Sequence, residues 1–190
     1  MPFNYRKAIE AILLFAEKEK NAYSRDIDFI KINKYCYFSE QQHLKAYLKP
    51  IFGDTYCALP EGPVPSVIYD ILKAVRGDSN PFMESMLVLE SGQAPFKVYD
   101  RFRVVPLRPS NTKVFSESDL EVMESVFKRY SAYESFALSE ISHGEPAWKN
   151  AFQNCVNEMN FEEIIGDKEA WAYISQKEQE AQLIRAAFQP

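Results

Sequence analysis

The chain has 190 residues and a net charge of −5 at pH 7, with 46% hydrophobic and 26% charged residues. This is the size and composition of one globular domain that can bury its own core. Lys and Arg are scattered instead of clustered, so we expect nucleic acid to be an unlikely partner, because phosphate binding needs a local basic excess. No apolar run approaches the roughly 20 residues of a membrane span, so no membrane partner is expected either.

Cysteine usage indicates a reducing compartment. Cys36, Cys57 and Cys155 are odd in number and widely spaced, which is no disulfide framework. The N-terminal residues lack the pattern of a signal peptide. We therefore expect a cytoplasmic protein.

The first half of the chain is predicted to be mainly helical. Apolar residues at helical spacing predict an amphipathic helix over 4–20 and a more deeply buried central helix over 27–48. A short strand is predicted over 54–59. Gly62-Pro63 predicts a turn, and Pro65 is expected in the first turn of a third helix that ends near residue 76.

The middle of the chain, over 82–113, reads as irregular and β-like. One strand is predicted over 86–89. A hairpin is predicted from strands 96–99 and 102–107, joined near Asp100-Arg101. These elements are short and surrounded by helical patterns.

Helices are predicted again from Ser116, where Ser116 and Asp119 have the spacing of a capping box. Further helices are expected over 134–142, 146–157 and 168–188, the last capped by Asp167. The fold class predicted for residues 1–190 is thus mainly α with a small β element (α+β): a single compact helical domain with a short hairpin or small antiparallel sheet.

Searches for reactive groups predict no enzyme, no metal site and no cofactor. Two His and three Cys lack the spacing of zinc ligands, and the six glycines form no phosphate-binding loop. One string stands apart, from His143 to Trp148. Pro146 could begin a helix that buries Trp148, or else His143, Glu145 and Trp148 could form an anchor patch for a partner. The residues alone leave both interpretations open.

Six short motifs occur over residues 28–150 in an order that is typical of one family. They are Tyr35 to Phe38 with His43-Leu44, Gly53-Asp54 with Tyr56, Gly62-Pro63-Val64, Tyr69-Asp70 with Leu72, Ser116 with Asp119, and Leu138 to His143 with Trp148. In these motifs the chain resembles the SocA-like, or Panacea, antitoxin domain family, whose phage-associated members are also called GepA-like. The resemblance implies a mainly helical domain that neutralises a cognate toxin protein by direct contact, without catalysis.

Our first hypothesis is therefore an antitoxin of a bacterial or prophage toxin–antitoxin system. The candidate partner contacts, provided that they are exposed, are Tyr56, Tyr69, His143, Glu145 and Trp148. The motif residues expected to support the fold are Gly53, Asp54, Gly62, Pro63 and Asp70. Alternatives are a nucleic-acid-binding or phage-associated regulatory protein, or a small hydrolase that uses His143.

Overall fold

The computed structural model describes residues 2–78 and 94–187. Helices dominate these ranges, as the sequence predicts. They are α1 (Tyr5–Tyr23), α2 (Phe29–Tyr47), α3 (Ser66–Arg76), a 3₁₀ helix (Thr112–Val114), α4 (Glu117–Tyr130), α5 (Ser135–Ser142), α6 (Pro146–Gln153), α7 (Phe161–Ile165) and α8 (Lys168–Ala187).

Two small antiparallel sheets complete the described fold, which confirms the predicted class of a mainly α domain with a small β element. The strands are β1 (Ile27–Asp28), β2 (Tyr56–Leu59), β3 (Gly62–Pro65), β4 (Phe96–Tyr99) and β5 (Arg103–Pro106). One sheet has the order β1-β5-β4 and the other pairs β2 with β3. No helix within residues 2–78 and 94–187 is long and apolar enough to cross a membrane.

Helix α2 is the centre of the core, as predicted from apolar residues around its circumference. Tyr35 packs against Phe15 of α1 and Phe127 of α4, with ring centroids 5.1 and 5.9 Å away. Phe38 stacks on Tyr130 of α4 at 4.5 Å. Because aromatic pairs bury large areas and have preferred geometries, they hold α1, α2 and α4 together.

The hairpin of β4 and β5 confirms the prediction for the middle of the chain. Three residues, Asp100 to Phe102, join the strands, and the first two have positive φ, 51° and 67°. No sequence pattern predicts β1, which adds only two residues to the sheet. The strand predicted over 86–89 lies outside the described residues.

The predicted turn at Gly62-Pro63 is wrong, and so is the placing of Pro65 in the first turn of a helix. Both prolines belong to β3, which pairs with β2 in the register Ala58↔Pro63 and Tyr56↔Pro65. The Ser66 N–H donates to the Thr55 carbonyl, so in β3 the backbone N–H groups of the even-numbered residues point toward β2. The prolines occupy the odd-numbered positions, where a backbone N–H would point away from β2. Their lack of an N–H therefore removes no hydrogen bond between the two strands.

The C-terminal half begins with the predicted capping box. Ser116 accepts from the Asp119 N–H, and the Asp119 carboxylate accepts from the Ser116 N–H. The Asp167 side chain caps α8 as expected, accepting from the N–H groups of Glu169 and Ala170. The helix predicted over 146–157 ends earlier, at Gln153, and the short α7 was not predicted.

Candidate protein-interaction surface

A groove of about 630 Å³ lies where the start of α2, the turn after β2, helix α3, the β4–β5 turn and the start of α5 meet. Most of its lining is apolar, and we call it the apolar groove. Its apolar and aromatic side chains include Phe29, Ile30, Leu59, Val64, Tyr69, Phe102 and Phe136.

Two phenylalanines leave large apolar areas in solvent at this groove. Phe136 is 70% exposed and Phe102 is 48% exposed. The Phe102 ring meets the buried Phe29 ring edge-on at 5.9 Å, and the Arg76 guanidinium lies 5.5 Å from the Phe102 ring centroid. Phe102 is thus held in place, while Phe136 is free to contact another molecule. Grouped exposed aromatic side chains are typical of protein-binding surfaces.

Charged side chains at the edge of the apolar groove are mostly acidic. They are Asp28, Glu61, Asp100 and Arg103. Asp28 pairs with Arg103 at 3.5 Å, whereas neither Glu61 nor Asp100 has an ion-pair partner among the described residues. The edge therefore carries an excess of negative charge.

Asn33 of α2 also lines the groove and carries an unsatisfied polar atom. The residue is only 4% exposed, and its Oδ1 has no hydrogen-bond partner among the described residues. A buried carbonyl oxygen without a donor costs about 1–3 kcal/mol.

A charged cleft of about 320 Å³ adjoins the groove and shares Asp28, Arg103 and Ser135 with it. Its charged side chains are matched one to one. The pairs are Glu19 with Lys31, Arg25 with Glu134, Lys20 with Asp26, and Arg103 with Asp28. The cleft therefore carries no excess charge, in contrast to the edge of the groove.

The last residue of β2 and the turn that follows it form one wall of the groove. Two predicted site residues contact the backbone of this wall. Trp148 donates its indole N–H to the Leu59 carbonyl at 2.9 Å, and His143 Nε2 lies 3.0 Å from the Pro60 carbonyl oxygen. The two rings stack with centroids 4.2 Å apart. Trp148 is 8% exposed. Both residues thus contact the backbone of the groove wall without lining the groove themselves.

The other predicted contact residues have three different environments. Tyr69 is half-buried, lines the groove and meets the Phe29 ring edge-on. Tyr56 is fully buried, so its side chain is a packing residue and offers no surface to a partner. Glu145 accepts from the Gln41 amide at 2.5 Å and so joins the start of α6 to α2.

Four of the five motif residues expected to support the fold lie in the β2–β3 hairpin or shortly before it. Asp54 accepts from the N–H groups of Val67 and Ile68 at 3.0 Å. It therefore caps the N-terminus of α3, although it lies 13 and 14 residues before them in the chain. Gly62 and Pro63 are the first two residues of β3, and Gly53 precedes β2. Asp70 differs, because it lies on the outer side of α3 and pairs with Lys73.

The buried Glu40 was not predicted from the sequence, although it organises this region. Its carboxylate accepts from the N–H groups of Ile51, Phe52 and Gly53 at 2.6, 3.0 and 2.8 Å. Burial raises the pKa of Glu40 to about 7, against the lowering effect of these donors. Burial likewise raises the pKa of Asp54 to about 6. Glu40 is one of several polar residues of α2, so the sequence carries no signal that singles it out.

Lys34 is a second buried ionisable group that the sequence did not single out. Its amine donates to the Pro63 carbonyl at 2.9 Å and has no carboxylate at ion-pair distance among the described residues. Burial lowers the pKa of Lys34 to about 7, while the nearby Glu61 carboxylate acts to raise it. A Cβ on Gly62 would lie 2.8 Å from this amine and 2.2 Å from Ser142 Oγ.

The ionisable side chains of the described residues form no group of three or more that could hold a metal. His143, the residue of the hydrolase alternative, has Glu140 as its nearest ionisable partner, at 3.6 Å. Glu140 is exposed, so this contact is solvated.

Comparison with known proteins gives one family. A family model described as an antitoxin, SocA-like, Panacea domain matches residues 32–149. This range includes α2 from Ile32 onward, both sheets apart from β1, and the groove walls from β2, α3, β5 and α5. No curated protein and no solved structure matches the chain.

Proposed function

The chain belongs to the family of SocA-like antitoxins with a Panacea domain, and on that premise we propose that it neutralises a cognate toxin protein by direct binding. The family match, which covers residues 32–149, is the observation that carries this proposal. The activity is stoichiometric occlusion of the toxin and requires no catalysis. We place it in the cytoplasm of a bacterium, where thiols such as those of Cys36, Cys57 and Cys155 stay reduced.

The apolar groove is the surface that we assign to the toxin. Phe136 supplies the most exposed large apolar side chain there, and Tyr69 and Phe102 lie beside it. Stable complexes of two proteins commonly bury about 1,600 Å² in total and depend on a few central aromatic or arginine residues. His143 and Trp148 contribute indirectly, because they hold the Leu59-Pro60 wall.

Growth measurements test the proposed function. Each gene adjacent to the one that encodes this chain is expressed alone and together with it, and growth is scored. We expect one neighbour to be toxic alone, to be harmless in the presence of this chain, and to co-purify with it. A toxic neighbour that is rescued without co-purification, or the absence of any toxic neighbour, would contradict direct neutralisation.

The Phe136→Ala variant tests the assigned surface in the same experiment. Because Phe136 is largely exposed, its truncation should leave the melting temperature unchanged while rescue is weakened. Leu183→Ala is the matched control, since Leu183 is 72% exposed on α8, far along the chain from the groove-lining residues. Equal rescue by both variants would place the toxin contact elsewhere.

A further inference from the structure

We propose that the apolar groove recognises a protein segment in which large apolar side chains stand beside Lys or Arg. This inference rests on the proposed function, because the segment would belong to the toxin. It goes further by stating the chemistry of the segment. Three observations support it: the apolar lining, the acidic edge and the neutrality of the adjoining cleft.

The lining fixes the apolar part of the segment. Phe136 and Phe102 are exposed at 70% and 48%, and Tyr69 and Val64 extend the same surface inward. Large apolar side chains that enter such a surface stabilise the complex in proportion to the apolar area that they remove from water. A groove of about 630 Å³ holds a few side chains of a segment and not a whole domain.

The acidic edge fixes the charged part of the segment. Glu61 and Asp100 have no ion-pair partner among residues 2–78 and 94–187, and they stand on two different turns beside the groove. Carboxylates at the edge of an interface favour a cationic partner and disfavour an anionic one. The adjoining charged cleft does not favour a cationic over an anionic partner, since its acidic and basic side chains are matched one to one.

Two pools of short synthetic peptides test the proposal without any knowledge of the toxin. In both pools Leu or Phe occupies two fixed positions. The residues between and beside them are Lys or Arg in one pool and Asp or Glu in the other. Binding to the purified full chain is measured by fluorescence polarisation at low and high salt. We expect the basic pool to bind at least about tenfold more tightly, with a preference that shrinks as salt screens the charges.

Two variants connect the preference to the groove. The double variant Glu61→Lys with Asp100→Lys should reverse it, and Glu163→Lys, which changes an exposed acid of α7, is the matched control and should not. Phe136→Ala should weaken binding of the basic pool about tenfold. Melting temperatures verify that each variant is folded.

Equal binding of the two pools, or a preference that survives the double variant, would overturn the proposal. These failures are separable from failure of the antitoxin function. A chain that rescues growth and co-purifies with a toxin, yet shows no preference for basic peptides, is an antitoxin that uses other chemistry. If the chain prefers basic peptides but no neighbouring gene is toxic, the groove has the proposed specificity and the proposed antitoxin function is wrong.

Discussion

The His143 imidazole stacks on the Trp148 indole with ring centroids 4.2 Å apart, and each ring has a nitrogen at hydrogen-bond distance from a carbonyl of the turn after β2. The pair therefore joins the α5–α6 junction to the wall of the apolar groove. Two residues that the sequence offered as partner contacts act in the structure through the turn they hold.

Loss of the Trp148 donor should destabilise the domain. Trp148→Phe keeps an aromatic ring but removes the hydrogen bond to the Leu59 carbonyl, which costs about 1 kcal/mol in addition to lost packing. We expect a decrease of about 1–3 kcal/mol in the free energy of unfolding, measured by urea denaturation. Phe152→Leu is the control, because Phe152 stacks on Trp148 but is 44% exposed, and it should cost less. Similar values for both variants would argue against the role given to this hydrogen bond.

Substitution of Gly62 should be far more costly than substitution of Gly166. Both residues have positive φ, 97° and 71°, so alanine strains the backbone at either position by about 1–2 kcal/mol. Only at Gly62 would the new Cβ also lie within 3 Å of Ser142 and Lys34, and such overpacking adds about 1–3 kcal/mol. Thermal denaturation of Gly62→Ala and Gly166→Ala measures the difference, and equal melting temperatures would refute it.

Local sequence signals predicted much of the fold. The capping box of Ser116 and Asp119, the central position of α2 and the tight turn at Asp100-Arg101 all follow from residues near one another in the chain. Local rules also misled at Pro63 and Pro65. Two prolines after a glycine usually mark a turn. Here both prolines occupy positions of β3 at which no N–H is needed for a hydrogen bond to β2.

The groove itself could not be predicted, because five separate elements bring its residues together. Phe136, an exposed phenylalanine in the first turn of a short helix, has no neighbour in sequence that identifies it as part of a surface. Tyr69 was selected through its family motif, and it does line the groove. Tyr56 was selected in the same way and is fully buried, since the motif does not distinguish a residue that packs from one that binds.

The buried Lys34 should make stability depend on pH in alkaline solution. Its pKa is about 7 in the folded chain, whereas the ordinary lysine pKa of 10.5 applies to the unfolded chain. The unfolded state therefore binds more protons between these two values, and the contribution of Lys34 to stability rises with pH there, by at most about 1.4 kcal/mol per pH unit.

The Lys34→Met variant isolates this contribution. Urea denaturation of wild type and variant from pH 6 to 10 should give a free-energy difference that moves in favour of wild type as pH rises from about 7. Lys45→Met, which changes an exposed lysine of the same helix, should give a profile parallel to wild type. If Lys34→Met were also parallel to wild type, the amine would have an ordinary pKa in the folded chain.

The most direct test of the account is the dissociation constant between this chain and the toxin that we propose is encoded beside it, measured for wild type, Phe136→Ala and Leu183→Ala. The account predicts that Phe136→Ala binds at least about tenfold more weakly at an unchanged melting temperature, while Leu183→Ala binds like wild type. Wild-type affinity in Phe136→Ala would contradict the claim that the apolar groove receives the toxin.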